Sequence, residues 1–74
     1  MNYAQRIKDL REDHDMTQQE IADYLKIDRS YYGKYERNQH PIPVEFIIKL
    51  CQLYNVSADY ILCFTDIQIP LPEK

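Results

Sequence analysis

Glycine is nearly missing from this chain, with one residue, Gly33, among 74. That excludes a glycine-rich loop able to cradle phosphates. Together with only four prolines, it points to helices joined by short connections. Cysteine is scarce too. Two residues are too few for a disulfide framework, and neither pairs with His14 or His40 at the spacing of zinc ligands. Cys51 lies in an apolar periodic run and is expected to be a small buried hydrophobe, whereas Cys63 is expected to be partly exposed. Long apolar runs are lacking as well. No stretch is long enough to span a bilayer and the N-terminus has no apolar leader segment, so a soluble, cytoplasmic chain is expected. No activated nucleophile and no histidine–carboxylate spacing beyond chance composition is present, so neither an enzyme nor a cofactor is expected.

Positive charge is also in deficit. Nine Lys and Arg face twelve Asp and Glu, a net charge of −3. The deficit is uneven. Residues 26–40 carry Lys26, Arg29, Lys34 and Arg37 against Asp28 and Glu36, a local excess of two positive charges, while the remainder carries a deficit of five. A local basic face on an acidic body is the pattern expected for contact with a polyanion.

What is present is helical periodicity. In residues 3–13, Tyr3, Ile7 and Leu10 fall on one face, predicting an amphipathic first helix. Thr17-Gln18-Gln19-Glu20 is a capping box opening a second helix that carries Ile21, Ala22 and Leu25 inward and ends near Lys26. Asp28 is a good N-cap for a third helix. Its Tyr32 and Tyr35 face inward, and Arg29, Ser30, Gly33 and Lys34 face out. Two prolines one residue apart, Pro41 and Pro43, enforce a loop. A fourth helix from about residue 43 or 44 to Tyr54 offers Val44, Ile47, Leu50, Cys51 and Tyr54 as its inward stripe. Asn55 suits the left-handed residue that ends it, and Ser57 caps a last helix over residues 58–63. Tyr24, Tyr32, Tyr35, Tyr54 and Tyr60 fit core or half-core positions. Residues 1–64 are expected to form one domain. Residues 65–74, with Pro70, Pro72 and alternating Ile67, Ile69 and Leu71, are expected to form an extended tail. Whether that tail lies on its own domain, pairs with another chain or hangs in solvent is open.

Two short helices joined by a tight turn, the second polar on its outer face, suit the major groove of DNA, which is about 12 Å wide and admits one helix. From Arg6-Ile7-Lys8 with Leu10-Arg11, through Thr17-Gln18, Glu20-Ile21-Ala22 with Leu25, and Tyr35-Glu36-Arg37, to Asn55-Val56-Ser57, the sequence resembles the phage-repressor/Cro (XRE-type) helix-turn-helix family. The resemblance covers nearly the whole chain. No one fragment is specific alone, but their order and spacing are.

The resemblance implies an all-α, five-helix, lambda-repressor-like fold and a transcriptional regulator, a repressor, that binds double-stranded DNA as a homodimer. The half-sites of such a dimer lie roughly 34 Å apart. It implies a largely buried ion pair between Arg11 and Glu36. It places Arg29, Ser30 and Lys34 toward base edges, with Arg29 or Lys34 suited to guanine O6 and N7. It places Thr17, Gln18, Arg37, Asn38, Gln39 and His40 against the DNA backbone. Tyr31 is grouped with these, open to a phosphate, a thymine methyl or neither. The chain departs from the family pattern at Lys26, where the turn usually has glycine, and at Tyr32, more often aliphatic, whose hydroxyl needs a partner. It departs also at Gly33, inside the recognition helix, which implies either close approach to DNA or a missing contact, and at Asp28, which faces phosphates. An alternative from a different class is a protein-interaction module such as an antitoxin, its partner bound through the apolar alternation of the tail.

Overall fold

The computed structural model describes residues 2–68, which form five α-helices: α1 (Tyr3–Asp13), α2 (Gln18–Leu25), α3 (Arg29–Glu36), α4 (Val44–Tyr54) and α5 (Ala58–Ile61). Three of the starts are made by side chains that accept an otherwise unpaired backbone N–H. Asn2 accepts from Gln5 at 2.9 Å, and Ser57 accepts from Tyr60 at 3.2 Å. At α2 the capping box is complete: Thr17 Oγ1 accepts from the Glu20 N–H at 3.1 Å, and Glu20 Oε1 accepts from the Thr17 N–H at 2.9 Å. Asp28 occupies the N-cap position of α3, but its side chain makes no capping bond.

The five ends share one device. Asp15, Lys26, Asn38, Asn55 and Cys63 all take the left-handed conformation, with φ between 55° and 67°. The N–H of the next residue then reaches back five residues: Met16 to Arg11 O, Ile27 to Ala22 O, Gln39 to Lys34 O, Val56 to Cys51 O and Phe64 to Asp59 O, at 2.8–3.1 Å. This is the Schellman closure that glycine usually serves. Here none of the five is glycine. Asn and Asp tolerate the conformation through local hydrogen bonding, but Lys26 and Cys63 carry the steric cost of a β-carbon there.

One core joins all five helices. Ile7 and Leu10 of α1, Ile21, Ala22 and Leu25 of α2, Tyr32 and Tyr35 of α3, Leu50, Cys51 and Tyr54 of α4, and Ile61 of α5 are buried together, with Ile42, Ile47 and Val56 completing the cluster. α3 packs on both α2 and α1, and α5 packs on α4 and α1. The zero exposure of Ala22 reflects the close approach of α3, for which a larger side chain leaves no room.

Several expectations are corrected. Val44 is 67% exposed: it has the right spacing for the inward stripe, but as the first residue of α4 it lies beyond the neighbouring helices. Tyr24 is 38% exposed, its ring on the surface and its hydroxyl donating to the Lys49 carbonyl at 3.0 Å. α5 stops at Ile61, since Cys63 turns left-handed. Gly33 is buried rather than outward-facing, because the side chains of Arg37 and Gln18 lie over it. The start of the tail lies on its own domain. Asp66 Oδ1 accepts from Arg6 Nη2 at 2.7 Å, Arg6 lies 4.0 Å above the Tyr60 ring, and Gln68 donates to the Tyr60 hydroxyl at 3.0 Å. Ile69, Pro70, Leu71 and Pro72 fall outside the described residues.

α1, α2 and α3 are pinned at Glu36. Its carboxylate, with a side chain only 2% exposed, accepts from Arg11 Nε at 2.8 Å, Arg11 Nη2 at 3.1 Å and Gln18 Nε2 at 3.0 Å. Arg11 Nη1 also donates to the Met16 carbonyl at 2.9 Å. Tyr32 lies beside Glu36, but its buried hydroxyl completes no hydrogen bond of good geometry. Burial alone would raise the Glu36 carboxyl. The Arg11 guanidinium, then the nearby Tyr32 hydroxyl and the Gln18 amide, outweigh it and hold the group below its ordinary value.

Lys26→Gly and Cys63→Gly are each expected to raise stability by about 0.5–1 kcal/mol, part of the relieved strain being offset by the freer unfolded chain. Asn38→Gly is expected to change it little, and urea unfolding at neutral pH measures all three. Arg11→Ala strands a buried carboxylate and is expected to cost about 3–5 kcal/mol. Because folding lowers the Glu36 pKa, the ionised group contributes stability that is fully present above its unfolded value, about 4.3, and lost as pH falls through the lower folded value. Glu36→Gln removes that step. Its unfolding free energy is expected to fall less steeply than that of the wild type below about pH 4, and parallel acid limbs would contradict the pairing.

Candidate nucleic-acid interface

The connection between α2 and α3 is three residues, Lys26-Ile27-Asp28, turned by the left-handed Lys26. With Ala22 buried at the crossing and Gln18 bonded to Glu36, α3 is held at a fixed angle to α2. At 3.6 residues per turn, Tyr35, Tyr32, Glu36 and Gly33 follow one another around the buried side of α3. Arg37, Ser30, Lys34 and Tyr31 occupy the other side, with Arg29 exposed on the first turn.

The structure groups most of the residues expected to face DNA. The Tyr31 ring stacks on the His40 ring, with centroids 5.5 Å apart and planes within 6°. It also meets Tyr35 edge-on at 5.5 Å, and Lys34 Nζ lies 5.6 Å from its centroid. This places the loop after α3 against the middle of that helix. Arg37 Nε donates to Gln39 Oε1 at 3.2 Å. Asn38, left-handed with φ 58°, closes α3 and is exposed. Thr17 caps α2, and Gln18 opens it beside Glu36. Arg29 and Ser30 are exposed at the start of α3. Asp28 is exposed next to them, an acid at the edge of a face otherwise bearing Arg29, Lys34 and Arg37.

Gly33 does not belong to the exposed surface, because Arg37 and Gln18 lie over it. A β-carbon at residue 33 would meet Arg37 Nη1 at 3.0 Å and Gln18 Oε1 at 3.7 Å. It lies at the flank of the buried side, and the side chains that cover it come from the next turn and from another helix.

Arg6 is the residue that sequence reasoning left without a role. It is buried, paired with Asp66 and stacked over Tyr60, yet its Nε has no hydrogen-bond partner. Asp66 lies 60 positions away, so local spacing holds no signal for the pair. Among the described residues no cluster of His, Cys, Asp and Glu is arranged to hold a metal ion, and no helix is long and apolar enough to cross a membrane.

Comparison with known proteins bears directly on this arrangement. The helix-turn-helix family model matches residues 7–61. The chain is 39% identical over 72 residues to the HTH-type transcriptional regulator YobD of Bacillus subtilis, covering 97% of this chain and 64% of that protein. It is 40% identical over 54 residues to the antitoxin PezA of Streptococcus pneumoniae, covering 73% of this chain and 34% of that protein. The chain spans less than two thirds of the length of the curated relatives it matches. Among solved structures, the restriction-modification controller protein C.AhdI of Aeromonas hydrophila superimposes with a TM-score of 0.72 at 28% identity, covering 81% of this chain and 91% of that one. Fold, turn geometry and family match agree, and the chain belongs to the XRE-type helix-turn-helix family.

Proposed function

We propose that this chain is the DNA-binding domain of a transcriptional regulator, a cytoplasmic repressor that reads double-stranded DNA as a homodimer with α3 in the major groove. The observation that carries the reading is the exposed side of α3. Ser30 is exposed there and the half-buried Lys34 lies beside the Tyr31 ring, with Arg29 exposed on the first turn, while the buried side of the same helix is locked to α1 and α2 through Glu36. A reading helix needs that division, because base contacts discriminate only when the scaffold holds the side chains in register. Arg29 and Lys34 supply donors for guanine O6 and N7, and Ser30 can donate or accept. Thr17, Gln18, Tyr31, Arg37, Asn38, Gln39 and His40 form the surrounding set that meets phosphates and sets register without reading sequence. The acidic remainder of the chain favours this single docking orientation by repelling the duplex elsewhere.

Dimerisation would use the apolar surface that the core leaves uncovered. Val44 and Ile48 on α4 and Leu62, Phe64 and Ile67 after α5 are exposed. Names of relatives support regulation of transcription, and one of them is an antitoxin. The exposure of Phe64 (80%) and Ile67 (63%) favours a second reading, in which this surface holds a different protein. The two roles are compatible in one chain, since the residues assigned to DNA and the exposed apolar residues are different ones.

The discriminating experiment is selection of genomic fragments at two salt concentrations with wild type and with Arg29→Ala/Lys34→Ala. Wild type is expected to enrich a palindromic site, with affinity falling steeply as salt rises. The double variant is expected to lose about tenfold or more at that site, since one good bidentate base contact is worth about 1–3 kcal/mol. A folded wild-type protein that enriches no fragment would overturn the DNA reading and leave the partner-binding one.

A further inference from the structure

The one glycine of the chain stands in the middle of α3 without a positive φ, so backbone conformation gives no reason for it. Glycine is also among the poorest helix formers. The reason lies in what covers it. Side chains on a helix lean toward its N-terminus, so that of Arg37 extends back over residue 33. A β-carbon there would stand 3.0 Å from Arg37 Nη1 and 3.7 Å from Arg37 Cζ, tighter than ordinary contact at the first of these. Gln18 Oε1 would be 3.7 Å from the same point, while Gln18 Nε2 is tied to Glu36 at 3.0 Å. Gln39 accepts from Arg37 Nε at 3.2 Å. The guanidinium is thus held on one edge by Gln39 and rests against α3 in the gap where a β-carbon is missing, beside Gln18.

We propose that Gly33 is a positioning residue for DNA binding: it seats the Arg37 guanidinium against α3 beside Gln18, so that Arg37 meets the DNA backbone from a fixed place. The inference rests on the DNA-binding reading above, and adds a residue that touches no DNA itself. Arginine's planar fork suits phosphate, and its advantage over a mobile cation is greatest when the fork is oriented beforehand. A β-carbon at residue 33 displaces only the far end of a flexible side chain, so the fold tolerates it while the seat is lost.

This gives an unusual pair of expected signs. Gly33→Ala is expected to melt no lower than wild type, and up to about 8 °C higher, because alanine is the better helix former. It is expected to displace the Arg37 Nε–Hε resonance of the free protein, a readout that needs no DNA. Binding to a mixed-sequence duplex is expected to weaken about five- to tenfold, with the slope of log K against log salt reduced by about one. In an Arg37→Ala background the same substitution is expected to add nothing, because its effect runs through Arg37.

Loss of equal size in that background would overturn the proposal, since Gly33 would then contact DNA itself. A displaced resonance with unchanged binding would overturn it too, as would a wild-type salt slope in Arg37→Ala. So would a lowered melting temperature in Gly33→Ala, which would make the glycine a requirement of the fold. If folded wild type binds no duplex at all, the DNA reading falls and this proposal with it. The resonance then reports separately whether Gly33 seats Arg37.

Discussion

Everything on the exposed side of α3 depends on one buried carboxylate. Glu36 lies at the end of α3, and it is reached by Arg11 from α1 and Gln18 from α2, so three helices meet at two oxygens. Burying a charge is costly, and the cost is offset only because nearly every acceptor position is filled by a donor in good geometry. Apolar packing alone would hold the same helices together but is non-directional. The ion pair adds direction: it fixes the rotation of α3 about its own axis. A rotation of one residue would turn Ser30 and Lys34 away from the side they share and expose Tyr32 or Tyr35.

The same economy governs the helix ends. Glycine is the usual residue for the left-handed closure of a helix, yet the chain closes five helices without one. The single glycine is placed where a side chain would disturb a neighbour, under Arg37. A small domain with limited core area tolerates this because all five helices contribute to one buried cluster, and the strain at Lys26 and Cys63 is small beside that burial.

Much of this was legible in the sequence because it is local. The capping box at Thr17, the inward spacing of Ile21, Ala22 and Leu25, the left-handed Asn55 and the Ser57 cap all follow from residues within one or two turns. The Arg11–Glu36 pair is 25 residues long in sequence and came from family resemblance, since no local rule connects the two. What could not be read depends on neighbours in space. Val44 has inward spacing but is exposed, and Gly33, expected to face out, is covered by Arg37 and Gln18. Arg6 meets an acid 60 residues away, in a segment whose composition suggested only an extended tail. The grouping of Tyr31 with His40 is intermediate: both were expected near DNA, and only the structure stacks one ring on the other.

In the proposed complex the duplex is met by the start of α2, the exposed side of α3 and the loop after it. Residue-resolved NMR titration of the protein with its selected DNA fragment tests this most directly. The expected result is that resonances of Thr17, Gln18, Arg29, Ser30, Tyr31, Lys34 and residues 37–40 shift together, with those of Leu62, Phe64 and Ile67 responding only where a second copy assembles. Shifts concentrated on residues 62–67, with α3 unmoved, would contradict it.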